Sequence, residues 1–330
     1  MRSWPAIILI AIATGGCLDD YPAAPTSPFE DSAMTFVESL VVPETGLVAS
    51  RSGECFTTVY KNALAAMAFL HQGNHGAAQA IFDRFETYRL GLPGSFKGFP
   101  KDWNPCTGLP TNDNRWEGDN AFLLLALNYY LVATNGSVGY KDLTNELVAW
   151  LVQRAQVCES IVAEGTANMY AALLPHASDP AVAAALTQLQ SCFTDDVNYA
   201  SVLDHTVRGS LVFQDYSGFS FLSNFRVTEP WVVTQEPIEA YAAFDAEPFA
   251  NIEISAQLLL TATLTGRTDS VATLRSELEK TWIQTNHGRE AGLPYFLSNI
   301  GFTQSAELGI IDPTVYMLFV YWRFNPFRPT

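Results

Sequence analysis

The chain has 330 residues, 48% of them hydrophobic and only 16% charged, which is ample for a sizeable core. Its net charge of −16 argues against a nucleic-acid backbone as partner, since phosphates are held by lysine and arginine. A neutral or cationic ligand is the more compatible one.

Residues 1–17 read as an export signal. Arg2 gives a positive start, and Pro5 to Ala13 is an apolar run too short to span a bilayer. The run ends in Thr14-Gly15-Gly16-Cys17, which resembles a bacterial lipoprotein signal with Cys17 as the lipidated residue. Thr14 departs from that pattern, where a leucine-like residue is usual. An ordinary cleaved signal is the alternative. Residues 18–27, rich in Asp, Pro and Ala, read as a tether, and residues 28–330 as the folded domain. The expected location is outside the cytoplasm, on a membrane through the Cys17 anchor.

Phe29 to Leu40 is a modest helix. Glu54-Cys55-Phe56 opens an apolar helix through Tyr60, Ala63, Met67 and Leu70, which Gly73 ends. His75 to Tyr88 is amphipathic, with Ala77, Ile81 and Phe85 against Gln79, Asp83 and Glu86. Leu90 to Arg115 is a long loop whose aromatics, Phe96, Phe99 and Trp103, argue that it is ordered. The next helix is apolar all round from Ala121 to Val132 and must be buried on every side. Asp119 reads as its N-cap. Tyr140 to Gln156 is amphipathic again, Glu164 to Leu174 is apolar, and Asp179-Pro180 starts another amphipathic helix to Phe193.

Asn198 to Tyr241 is ambiguous, with a helix near Tyr199 to Val207, an irregular stretch, and another helix before Phe244. Asn251 to Leu264 is apolar, Asp269 to Thr285 amphipathic, Gly288 to Ala306 a loop, and Asp312-Pro313 starts a last, aromatic helix to Phe324. Strand alternation is scarce. Apolar helices alternating with amphipathic ones predict an all-α double ring, inner helices buried on both sides and outer ones wet on one. Five inner helices are visible in the pattern, and the sixth is expected within Asp215 to Phe244. The first helix closes the ring against the last.

The pattern at Val59 to Ala65, Gly118 to Phe122, Glu164 to Leu173 and Asp312 to Trp322 resembles the six-hairpin glycosidase superfamily, the (α/α)6 toroids. That superfamily holds hydrolases, lyases, phosphorylases, epimerases and members without known activity. No family's catalytic motif is matched, so the resemblance implies a fold and a carbohydrate ligand but assigns no catalytic residue.

Besides Cys17, the cysteines are Cys55, Cys106, Cys158 and Cys192. Outside the cytoplasm an even set favours disulfides. Of three pairings, Cys55–Cys106 and Cys158–Cys192 are expected, since each joins neighbouring repeats; four free thiols are the alternative. The scattered histidines and the lack of C-x-x-C give no metal site, and no phosphate or dinucleotide fingerprint calls for a cofactor.

Parallel inner helices gather their N-termini at one mouth. Acids recur at those starts: Glu54, Glu117, Asp119, Glu164, Asp245, Glu247 and Asp312. Capping and the helix dipole account for acids there too, and suffice for Asp179 and Asp312. Glycoside hydrolysis needs two carboxylates, and Glu164, Asp119 and Glu54 are the candidates. Tyr60, Trp103, Trp116, Tyr170, Phe221 and Trp231 are candidate sugar platforms, and Asn120 and Asn168 candidate hydroxyl ligands. The expected function is an exported glycoside hydrolase. The competing class is a non-catalytic lipoprotein that binds a glycan or protein at the mouth.

Overall fold

The structure is a computed structural model that describes residues 28–136, 139–156, 163–194, 203–213, 226–230, 237–241, 250–266, 273–285, 290–293, 296–297 and 309–328. The expected signal, tether and anchor, residues 1–27, lie outside these. No helix among the described residues is long and apolar enough to cross a membrane.

Six inner helices form a closed ring. They are α2 (Val59–His71), α4 (Glu117–Ala133), α6 (Ala163–Leu173), α8 (Leu203–Phe213), α9 (Ile252–Thr265) and α11 (Ile311–Trp322). Each packs on the next in that order, and α11 packs back on α2. The outer layer places α3 (His75–Leu90) on α2, α5 (Lys141–Arg154) on α4, α7 (Pro180–Thr194) on α6 and the short α10 (Leu274–Glu279) on α9. The first helix, α1 (Pro28–Ser39), lies on the last, α11, as the order of the elements requires.

Burial follows the composition of each helix. Every residue of α4 from Glu117 to Tyr130 is buried, and every residue of α11 from Ile311 to Val320. In α5 only Leu143, Thr144, Leu147 and Leu151 are, one stripe at helical spacing. Removing a side chain such as Leu124, which is fully enclosed, would cost about 2–5 kcal/mol through lost transfer energy and the cavity left behind.

Local chemistry fixes the ends. Thr58 accepts the Lys61 amide at the start of α2, Asn74 that of Ala77 at α3, and Asn251 that of Ile254 at α9. Gly266 stops α9 in the left-handed conformation, φ 70°. Asp179 accepts the Ala181 amide at the start of α7, in agreement with its reading as a cap.

Three expectations are corrected. The sixth inner helix is Leu203–Phe213, not a segment of Asp215 to Phe244. Its Val207, Leu211 and Val212 are buried, but so are Arg208 and Ser210, and a buried arginine gives an inner helix the look of a wet one. The helix expected before Phe244 is instead an antiparallel hairpin, β4 (Arg226–Pro230) with β5 (Pro237–Tyr241). The amphipathic stretch Asp269 to Thr285 is helical, among the described residues, only over α10; the chain then pairs β6 (Ile283–Thr285) with β7 (Glu290–Gly292).

The long loop carries most of the remaining strand structure near the mouth. β2 (Asp102–Asn104) pairs antiparallel with β1 (Thr57–Thr58) and with β3 (Leu109–Pro110). Cys55 and Cys106 form a disulfide with Cα atoms 5.5 Å apart, as expected. Cys192 is also disulfide-bonded; its expected partner Cys158 lies outside the described residues.

Candidate active site at the inner-helix starts

The starts of four inner helices and the middle of α8 converge on a cavity of about 480 Å³. Tyr60 and Lys61 come from α2, Trp116 and Asp119 from the start of α4, Arg208 from α8, Glu253 from α9 and Asp312 from α11. The long loop adds Lys101, and the segment before α2 adds Arg51, Glu54 and Phe56.

Asp119 does not cap its own helix. The N-cap of α4 is Trp116, which makes no side-chain capping bond. Asp119 sits in the first turn and reaches sideways, where its Oδ1 accepts the Tyr60 amide at 3.0 Å. That amide is one of the unpaired N–H groups in the first turn of α2, so the carboxyl group caps a neighbour. Its Oδ2 has no hydrogen-bond partner, although the residue is only 1% exposed. Burial pushes the Asp119 carboxyl up to about 7, against the pull of Lys101, the Tyr60 amide and Arg208. A carboxyl group poised near neutrality in the lining of a cavity can give or take a proton at physiological pH.

The second acid is Glu253, 5% exposed at the start of α9. Its Oε1 accepts the Tyr60 hydroxyl at 2.7 Å and Gln257 Nε2 at 3.2 Å, with Arg208 Nη2 at 3.9 Å. Burial and then the Glu253 charge raise the Tyr60 phenol well above its ordinary range, so it stays a donor. Tyr60 thus ties the two acids together, its amide on Asp119 and its hydroxyl on Glu253. Tyr316 Oη completes the cluster, 3.0 Å from Tyr60 Oη.

Arg208 is 3% exposed and held from behind. Its Nη1 donates to Asn168 Oδ1 at 3.2 Å, and its guanidinium lies 5.6 Å from the ring centres of both Tyr60 and Phe122. Lys61 Nζ pairs with Asp312 Oδ2 at 2.5 Å. Asp312 therefore faces the mouth and is not the cap its position implied; the N-cap of α11 is Ile310, without a side-chain bond.

The other expected residues separate by place. Trp116, Tyr60 and Glu54 line the mouth. Glu54 is on the rim, ion-paired with Arg51 at 3.2 Å. Trp103 is fully enclosed against Phe85, Tyr88 and Phe99, with its Nε1 on the Pro100 carbonyl, so it presents no face to a sugar. Asn120 is also fully buried. It accepts the Phe99 amide at 2.7 Å and donates to the Phe99 and Trp116 carbonyls, clamping the long loop to α4. Asn168 supports Arg208 and does not line the cavity, and Tyr170 packs partly buried against the core. Glu117 pairs with Arg154 of an outer helix, away from the mouth. Glu164 is the second residue of α6, but its side chain lies outside the description, as do Phe221, Trp231, Asp245 and Glu247.

Sequence reasoning missed Glu253, Arg208 and Lys101. Glu253 had a legible signal, an acid two residues after the capping Asn251 of an apolar helix. Lys101 had none, because only the folded loop brings it to Trp116.

No family model matches the chain, and no curated protein does. Solved structures do. A wild-type glycosidase superposes with a TM-score of 0.64 at 10% identity, covering 90% of this chain and 96% of the other. An alpha-amylase from Clostridium perfringens gives 0.62 at 10% identity, covering 91% and 99%. A cellobiose 2-epimerase from Spirochaeta thermophila gives 0.60 at 13%, covering 89% and 94%. At such identities the likeness is one of fold alone, and the fold of this chain is an (α/α)6 toroid, a double ring of inner and outer helices.

Proposed function

We propose that the chain is a carbohydrate-active enzyme, a glycoside hydrolase working at the mouth with Asp119 as general acid and Glu253 as the second carboxylate. The observation that carries this is Asp119: buried, poised near neutral pH, with one oxygen unpartnered, in the lining of a cavity that holds a second acid. The two environments differ as the chemistry requires. Asp119 has one hydrogen bond and a dry setting that favours the proton. Glu253 accepts the Tyr60 hydroxyl and the Gln257 amide, with the Arg208 guanidinium 3.9 Å away. One group is thereby suited to protonate a glycosidic oxygen, and the other to assist water or attack the sugar. Trp116 and Phe56 offer apolar faces beside them. That the fold is shared with glycosidases and a sugar epimerase supports the substrate class.

Export and anchoring through Cys17 belong to the same reading. The Cys55–Cys106 disulfide supports an oxidising location. Moving a Cys17→Ala variant from the membrane to the soluble fraction would support the anchor, and its remaining on the membrane would remove it.

The activity is tested by screening the full chain on a glycan panel, with products followed by NMR at the anomeric proton. Asp119→Asn and Glu253→Gln should each lower turnover by about 10²-fold or more. With Asp119 as the acid, the rate should fall as pH rises through about 7. No turnover on any glycan would leave the chain as a binding protein, and full turnover by both variants would remove Asp119 and Glu253 from the chemistry. Loss of turnover in Glu164→Gln but in neither of the other two would move the chemistry to α6.

A further inference from the structure

The chain as a whole is acidic, with 34 carboxylate residues against 18 lysines and arginines, but the mouth is not. Its lining holds four acids and four cations. Three of each are paired with one another: Arg51 with Glu54 at 3.2 Å, Lys61 with Asp312 at 2.5 Å, and Arg208 with Glu253 at 3.9 Å. That leaves Asp119 and Lys101. Burial favours the neutral form of Asp119, so it contributes little negative charge below about pH 7. Among the described residues Lys101 makes no ion pair; its Nζ lies 5.2 Å from the centre of the Trp116 ring, at the cavity wall. The position is fixed through the backbone. The Lys101 carbonyl accepts the Val59 amide at 3.0 Å, and its own amide donates to the Asn114 carbonyl at 2.6 Å.

One cation in excess, held over the face of an aromatic ring, is a receptor for an anionic group on a sugar. The long-range field of the other carboxylates opposes this only weakly, because exposed charges beyond about 8–10 Å are screened at physiological salt. The nearest charges decide. We propose that the mouth selects a glycan bearing an anionic group, a carboxylate or a sulfate, with Lys101 binding that group while Trp116 takes the ring face. This replaces the neutral or cationic ligand that net charge alone implied, and it rests on the carbohydrate reading given above.

The test is calorimetric binding to the full chain. The probes are tetrasaccharides of galacturonate, of a sulfated galactose and of neutral glucose. At least one anionic probe should bind about tenfold tighter than the neutral one, the worth of one charge-assisted contact in a half-dry site. Lys101→Gln should erase that preference and Lys101→Arg keep it. Thermal midpoints of both variants report whether the fold is intact. Whichever anionic arm binds tighter identifies the group. Equal or tighter binding of the neutral probe, or a preference unchanged in Lys101→Gln, would overturn the assignment and leave the carbohydrate reading standing. Binding of no probe at millimolar concentration would remove both.

Discussion

Asp119→Asn should make the protein more stable at neutral pH, and the gain should vanish on acidification. The carboxyl group moves from an ordinary 3.8 when unfolded to about 7 when folded. Between those values the folded state holds a proton that the unfolded state has lost, so the stability of the natural protein falls as pH rises through that window. The interval is about three pH units at about 1.4 kcal/mol each, or about 4 kcal/mol by pH 8. Asparagine has no charge to bury. Its Oδ1 can keep the Tyr60 amide bond, and its amide group takes the unpartnered place of Oδ2. Below about pH 4 the two proteins should therefore differ little. Urea unfolding of both at intervals from pH 4 to 8 gives the difference curve, in which groups common to both cancel. A rise with pH levelling near pH 7 is expected. A difference flat to within about 1 kcal/mol would mean that Asp119 is ionised throughout, and would remove the general-acid role with it.

Three further outcomes check other parts of the structure. Asn120→Ala strands the Phe99 amide and carbonyl inside the protein, and should cost about 2–4 kcal/mol in urea unfolding, with proteolysis appearing first within residues 90–115. Replacing Cys55 and Cys106 together by serine should remove about 2–4 kcal/mol, read from the same unfolding curves against the natural protein under oxidising conditions. Gly98→Ala should lower the thermal midpoint, because the residue has φ 81° and its new methyl carbon would lie 2.8 Å from the Trp150 ring; an unchanged midpoint would show that the loop can shift away from α5.

The double ring was legible in the sequence because it rests on composition. Ala121 to Val132 has no polar face, so it can only be an inner helix, while Leu143, Leu147 and Leu151 recur at one stripe and make α5 an outer one. The Cys55–Cys106 link was legible from parity and from the repeats it joins. The same logic failed where a buried charge broke the rule. Arg208 is enclosed because Asn168, Tyr60 and Glu253 surround it, and partners from three other helices cannot be read from the helix that carries it. Acids at helix starts were also visible, but not their use. Asp179 caps its own helix, whereas Asp119 caps the preceding inner helix and Asp312 pairs with Lys61, and only the groups that folding brings beside each carboxylate separate the three. Lys101 is the extreme case. It stands apart in sequence from every inner-helix start until the long loop folds back through β1 and β2, so its place beside Trp116 is a property of the tertiary structure alone.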